Sequence, residues 1–334
     1  MNAFAKLVTL DQAAELIKSG KYLCLAGDEA ALRQLPQGNW IGGTIPYFMA
    51  EEGGVVTRER VFVNEIAVFD QAPVLRSYDQ ESLAQICHNA PDQGYTILIV
   101  PAFGPCHKDF AENSQNYEDM YMKPLIGWVA GVHLDDLGKI SPKVVLGSTG
   151  EFSDQLAVAM DVPLPPDTFA NVDIINLFQP GGGDSISFEG TGFSAGDCLI
   201  NGQRANLAEY MSAHKVDTRL PLVADYCGAM VNVGIKAVDV KNRQVEFYAP
   251  VFPGLVYQIA APVTDYVASF QEALPHLDNG IAFSCNCILN YLHSGLEGKR
   301  TAGITGPITF GEISYQLLNQ TLVYLYLTTL RAGN

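Results

Sequence analysis

The chain has 334 residues, 48% of them apolar and 17% charged, and 20 Lys and Arg against 36 Asp and Glu give it a formal net charge of −16. The length favours two domains over one, and the apolar fraction excludes a disordered chain. The charge excludes nucleic acid, whose phosphates demand basic groups, and disfavours an anionic membrane surface.

In chain order, Thr9 and Gln12 form a capping-box pattern ahead of Leu10, Ala13, Ala14 and Ile17, which repeat at helical spacing. Tyr22 to Ala26 reads as a strand, Asp28 caps a helix through about Leu35, and Trp40-Ile41-Gly42-Gly43-Thr44 is a second strand. Val61, Val63 and Ile66 mark a strand after the Gly53-Gly54 turn, Leu83, Ile86 and Cys87 a helix, and Tyr95 to Val100 another strand. Pro163, Pro165 and Pro166 then interrupt the pattern.

Beyond them, Asp173 to Phe178, Ser185 to Phe188 and Asp197 to Ile200 read as strands, and Asn201-Gly202 as a type I′ hairpin turn. A helix from Asn206 to His214 precedes strands at Leu222-Val223-Ala224, Met230 to Val240 and Val245 to Tyr248. Val263, Val267, Phe270 and Leu274 share one helix face. Ile281 to Cys285 is a buried strand, Cys287 to His293 a helix, and Thr321 to Leu327 a central strand. These elements predict an α/β (α+β) fold of two mixed-sheet domains with helices packed on the sheets, residues 1–163 and 167–334.

Met1 to Leu7 holds no apolar core of signal-peptide length, and Leu322 to Leu330 is short of the roughly 20 residues of a membrane span. Seven scattered cysteines, at 24, 87, 106, 198, 227, 285 and 287, read as free thiols of a cytoplasmic protein.

Three short motifs close the chain: Phe283-Ser284-Cys285, then Gly303 to Ile313 with its Gly311-Glu312-Ile313 ending, then Asn319-Gln320-Thr321-Leu322. In this order they resemble the C-terminal half of the FIST family of bacterial sensory domains, and Trp40 to Thr44 is similar to that family's isoleucine-glycine signature. Asn286, Cys287 and Ile288 depart from the family, which often carries an arginine there, and so does the Ile45-Pro46-Tyr47-Phe48 continuation. The resemblance implies a module that binds a small molecule such as an amino acid and signals through a separate protein.

The candidate ligand-binding residues are Cys285, Asn286, Thr309, Gly311, Glu312, Asn319, Trp40 and Thr44. A strand running into a helix at Asn286 would offer backbone amides to an anion and activate Cys285 as a nucleophile; simple packing of a small thiol is the alternative. Glu312 would hold a ligand ammonium group or cap a helix from Ile313 to Leu318. Asn319 and Gln320 need partners for their amides, from ligand or backbone. Trp40 and Trp128 stand beside Ile-Gly units, as pocket walls, as core, or as marks of two related strands.

Other patterns read as structure. Cys285-x-Cys287 with His293 lacks a second ligand pair for zinc, Cys106-His107 falls in an expected loop, and Asp135-Asp136 in a solvated turn. Gly181-Gly182-Gly183 lacks the lysine of a phosphate loop, and Gly192-Phe193-Ser194-Ala195-Gly196 is expected to be a β-turn instead of a nucleophile elbow. The sequence therefore predicts an intracellular ligand sensor without metal or cofactor. An enzyme with Cys285 as nucleophile and a structural subunit built on a homo-oligomer interface are its competitors.

Overall fold

The computed structural model describes residues 4–226, 228–274, 280–301 and 303–330; Cys227 and the first three residues of the N-terminal reading lie outside the described residues. The fold is mixed α/β, dominated by several sheets with few helices.

One pattern occurs three times, over residues 5–66, 74–163 and 168–329. A first strand leads through a helical segment to a second, a short helix follows, and a third strand lies parallel to the second. A two-strand hairpin then crosses to a neighbouring unit, and a last strand returns between the first two, antiparallel to both. The parallel pairs are Tyr22–Gly27 with Trp40–Thr44, Gly94–Pro101 with Leu125–Ala130, and Phe283–Cys287 with Gly306–Thr309. The crossing hairpins are exchanged cyclically. Tyr47–Ala50 joins Gly306–Thr309, Val144–Leu146 joins Trp40–Thr44, and Glu312–Ser314 joins Leu125–Ala130.

The result is three six-stranded sheets of the same internal order. Their largest shared core runs from Cys24 to Leu325, with Phe48, Ile97, Trp128 and Val323 sealed inside; each such large apolar side chain contributes about 1.5–3 kcal/mol on burial. The prolines at 163–166 join the strand Ala157–Pro163 to Thr168–Ile175, and strands from residues 306–318 complete sheets begun by residues 40–130.

The third unit carries an insertion, residues 176–265, between its first strand and its first helix. It forms a six-stranded antiparallel sheet and a three-stranded sheet of Gly192–Ala195, Gln244–Val251 and Ile235–Asp239, with their own core around Ile186, Leu207 and Val245. Its ends are adjacent, for the Gly181 amide donates to the Ile259 carbonyl at 3.0 Å.

Local chemistry sets many boundaries as expected. The Thr9 capping box is formed, Asp28 and Asn206 cap their helices, and Asn201 and Gly202 take positive φ in the hairpin that pairs Ile200 with Gln203. Several expectations are corrected. The Asp28 helix stops at Leu32. Gly53 and Gly54 open a strand, Gly53–Val56, paired with Tyr47–Ala50. Gly192–Ala195 is a strand, not a turn, and Cys106-His107 lies on the helix Pro105–Asn113, not in a loop. Met230 to Val240 divides at Gly234, where a Cβ would stand 2.9 Å from Leu289 Cδ1.

Two corrections touch the candidate residues. The strand Phe283–Cys287 includes Asn286 and Cys287, so the helix starts only at Ile288 and Cys285 sits inside a sheet. No helix follows Glu312; Glu312–Ser314 and Gln316–Leu318 form a hairpin turning at Tyr315, φ +61°. Among the described residues no helix is long and apolar enough to cross a membrane.

Candidate functional site

Four of the sequence candidates converge. Cys285, Asn286, Thr309 and Glu312 lie where the third parallel pair meets the crossing hairpin. Glu312 is fully buried; its Oε2 accepts from the Thr321 hydroxyl at 2.8 Å and from the Thr321 amide at 3.3 Å. Burial pushes its carboxyl up to about 8, against hydrogen bonds from Thr321, Cys287 and Thr309 that favour the anion. It is therefore mostly protonated at neutral pH. The Thr309 hydroxyl lies 3.0 Å from the Gly311 carbonyl and 3.3 Å from that of Asn286. Asn286 Oδ1 accepts from the Asn290 amide at 3.0 Å and from the Cys287 amide at 2.8 Å.

This cluster is sealed. Cys285 is 1% exposed, its thiol donates to the Gly127 carbonyl at 3.3 Å, and burial then Glu312 hold it well above the ordinary thiol range. The gap beside Ser284, Cys285 and Asn286 encloses no water-sized volume. Such a thiol is inert in the folded state, and a ligand has no room against Glu312.

The other candidates are dispersed. Asn319 is fully buried and ties down the insertion, accepting from the Gly234 amide at 3.4 Å while Asn232 donates to its carbonyl at 3.1 Å. Gly311 packs against Leu317 and Val129. Trp40 is core, its indole donating to the Pro36 carbonyl at 3.0 Å. Trp40-Ile41-Gly42 and Ile126-Gly127-Trp128 do occupy equivalent strands of two units. Thr44 stands apart, donating to the Gly131 carbonyl at 2.8 Å and accepting from the Lys143 amide at 2.9 Å.

Open space lies elsewhere. In open α/β sheets ligands bind beyond the carboxyl ends of parallel strands. A cleft of about 760 Å³ opens there, walled by segments that directly follow the parallel strands of the second and third units: Ala102 to Gly104, Ile288 and Leu289, and Phe310. Leu134 and Leu137 close one side, and Phe193, Phe247 and Tyr248 of the insertion form the roof. The volume falls within the roughly 300–1,000 Å³ of small-molecule sites.

The wall is mainly apolar and aromatic, with a few polar groups. His107 is 8% exposed, lies with its ring 5.6 Å from that of Phe193, and has no hydrogen-bond partner among the described residues. Burial lowers its imidazole to about 4, so it is neutral at pH 7. Lys236 pairs with Glu246 at 2.8 Å on the rim. Phe103 holds a left-handed φ of +66° and packs edge-on to Phe310, with ring centroids 6.3 Å apart. A bulky residue held in that region costs of order 1–3 kcal/mol and marks a site worth examining for function.

A second cleft of about 350 Å³ occupies the corresponding end of the first unit, lined by Asp28, Glu29, Arg33, Thr44, Arg58 and His133. Its charges are paired: Arg58 reaches Asp136 at 2.8 Å, and Glu29 receives both Arg33 and Lys143 at 2.6 Å. A third hollow, of about 690 Å³, lies at the amino ends, beside Tyr22, Tyr95 and Ala282. No group of three or more metal-ligating side chains occurs among the described residues.

Sequence reasoning sets His107 aside with Cys106 as part of a loop and does not single out Phe103 or Phe310. The available signal was Pro105, which favours a helix's first position and would have placed His107 on a helix beside a strand end. Phe310 sits between the two motif residues that were singled out, Thr309 and Gly311.

No curated protein matches this chain in sequence. One family model does match it, over residues 8–328, which takes in all three units and the insertion. The chain therefore belongs to DUF6976, a family of unknown function.

Proposed function

We propose that this chain is a small-molecule binding protein of the sensory kind, with its ligand in the roofed cleft at the carboxyl ends of the second and third parallel pairs. The observation that carries this reading is the cleft itself: about 760 Å³, walled by apolar and aromatic side chains, with a histidine in its side that no described residue hydrogen-bonds. The similarity of the closing motifs to FIST sensory domains points the same way. In this reading those motifs act as a frame: the buried Glu312 and Asn286 cluster locks the strands from which Ile288, Leu289 and Phe310 emerge.

The insertion gives such a sensor an output. Ligand bridging Phe193 or Tyr248 above and Phe310 or Leu289 below would favour one setting of the roof, and a separate protein could read that setting.

The test is a thermal-shift screen of amino acids, organic acids and aromatic metabolites on the full chain, repeated with Leu292→Glu. Leu292 lines the cleft and is 44% exposed, so the variant should fold and put a negative charge into the space. A ligand at 100 times its dissociation constant should add about 2.7 kcal/mol of stability, and Leu292→Glu should abolish that gain. A ligand response that survives the variant unchanged would rule the cleft out.

A further inference from the structure

The cleft carries an inference about its ligand's chemistry, which rests on the reading above. The helix Pro105–Asn113 begins at its wall, and its first turn contributes Gly104, His107 and Lys108 to the lining. Gly104 at the N-cap has no side chain with which to cap, and the Cys106 and His107 amides have no partner among the described residues. Such free amides and the positive end of the helix dipole favour a negative charge.

Two side chains on that turn agree. Lys108 is exposed and makes no ion pair among the described residues, unlike Lys236, whose charge Glu246 already offsets. His107 is more than nine-tenths buried, lines the cleft and has no hydrogen-bond partner among the described residues, so its imidazole nitrogens are available to a ligand. A neutral imidazole supplies one N–H donor and one acceptor. A ligand hydrogen bond at the cleft wall would engage an imidazole whose nitrogens no described residue meets.

The rest of the lining rejects a purely polar molecule. Phe103, Phe193 and Phe310 present ring faces and edges, and Leu289 and Leu292 complete an apolar floor. Flat aromatic groups fit such a surface through offset or edge-on contact.

We propose that the cleft takes an aromatic carboxylic acid, its ring held among Phe103, Phe193 and Phe310 and its carboxylate seated at the first turn of the Pro105–Asn113 helix beside Lys108 and His107. No α-amino group is required, because Glu246, the one carboxylate residue lining the cleft among the described residues, is already engaged by Lys236. That distinguishes the expected ligand from the amino acids implied by the family resemblance.

Isothermal titration of the full chain with 2-naphthylacetate and with its neutral amide tests this. The acid should bind about tenfold tighter than the amide, the scale of a charge-assisted hydrogen bond over a neutral one. Lys108→Gln, a change on an exposed side chain, should cost the acid about fivefold and leave the amide unchanged. His107→Gln should weaken the acid as well, and Lys108→Gln keeps the test decisive if the His107 variant fails to fold. Equal affinity for acid and amide, or an acid affinity indifferent to Lys108→Gln, overturns the carboxylate assignment while leaving the cleft a binding site. Failure of both compounds to bind at millimolar concentration overturns this ligand class altogether, and Leu292→Glu with the wider metabolite screen then decides separately whether the cleft binds anything.

Discussion

Glu312 shows what one side chain contributes when the chain closes around it. Its carboxyl titrates near 8 in the folded protein against an ordinary value of 4.5, so the native state holds a proton that the unfolded chain releases. A raised folded value means the associated stability is complete below about 4.5 and is lost progressively as pH climbs through 8. Between those limits one proton steepens the fall in unfolding free energy by up to about 1.4 kcal/mol per pH unit. Glu312→Gln should flatten the wild-type decline between pH 5 and 8, measured by denaturant melts at several pH values. An unchanged slope would place the titrating group elsewhere. The same scale explains why a glycine-flanked carboxylate read as a ligand contact: the sequence records a carboxylate among apolar residues, but whether water or Thr321 meets it depends on which strand returns beside it.

At the scale of elements, close approach between parallel strands replaces side chains with backbone. At Gly127 a Cβ would stand 1.8 Å from the Leu98 carbonyl oxygen of the neighbouring parallel strand, and its own carbonyl receives the Cys285 thiol at 3.3 Å. Gly127→Ala should therefore cost more than about 4 kcal/mol, in the range that accompanies forced backbone displacement in a core, and yield little folded protein by circular dichroism. A well-folded Gly127→Ala variant with native stability would contradict this close strand spacing. Helix caps and the Asn201-Gly202 turn were legible because residues within a few positions make them. The crossing hairpins were not. Tyr47–Ala50 and Glu312–Ser314 have no periodicity that separates them from loop or helix, because partners from distant units bury both faces.

For the whole molecule, the insertion is the separable part. Its ends meet at Gly181 and Ile259 and its sheets enclose their own core, while the three units exchange hairpins in a closed cycle. Replacing residues 183–257 with a short Gly-Ser linker should leave a folded three-unit core and remove ligand binding, since Phe193, Phe247 and Tyr248 go with it. The truncated chain will be less stable, because Val231 and Ala249 pack into the cores beneath. Full unfolding would show that the insertion is not separable, and binding that persists in the truncated chain would show that the ligand does not touch the insertion.

By itself the sequence determined several local features: the caps at Thr9, Asp28 and Asn206, the hairpin turn at residues 201–202, and apolar runs such as Tyr95 to Val100 that became strands. Its composition alone sets the formal net charge of −16, and the paired Trp and Ile-Gly strands pointed to the repetition. Only the tertiary structure decided the threefold exchange of hairpins, the burial of Cys285 and Glu312, and the position of the open cleft. The reason is physical. Caps and turns are settled by contacts a few residues apart, whereas a cavity is the space left between segments such as 102–108, 193–194 and 288–310, and no property of any one of them specifies that the others stop short of it.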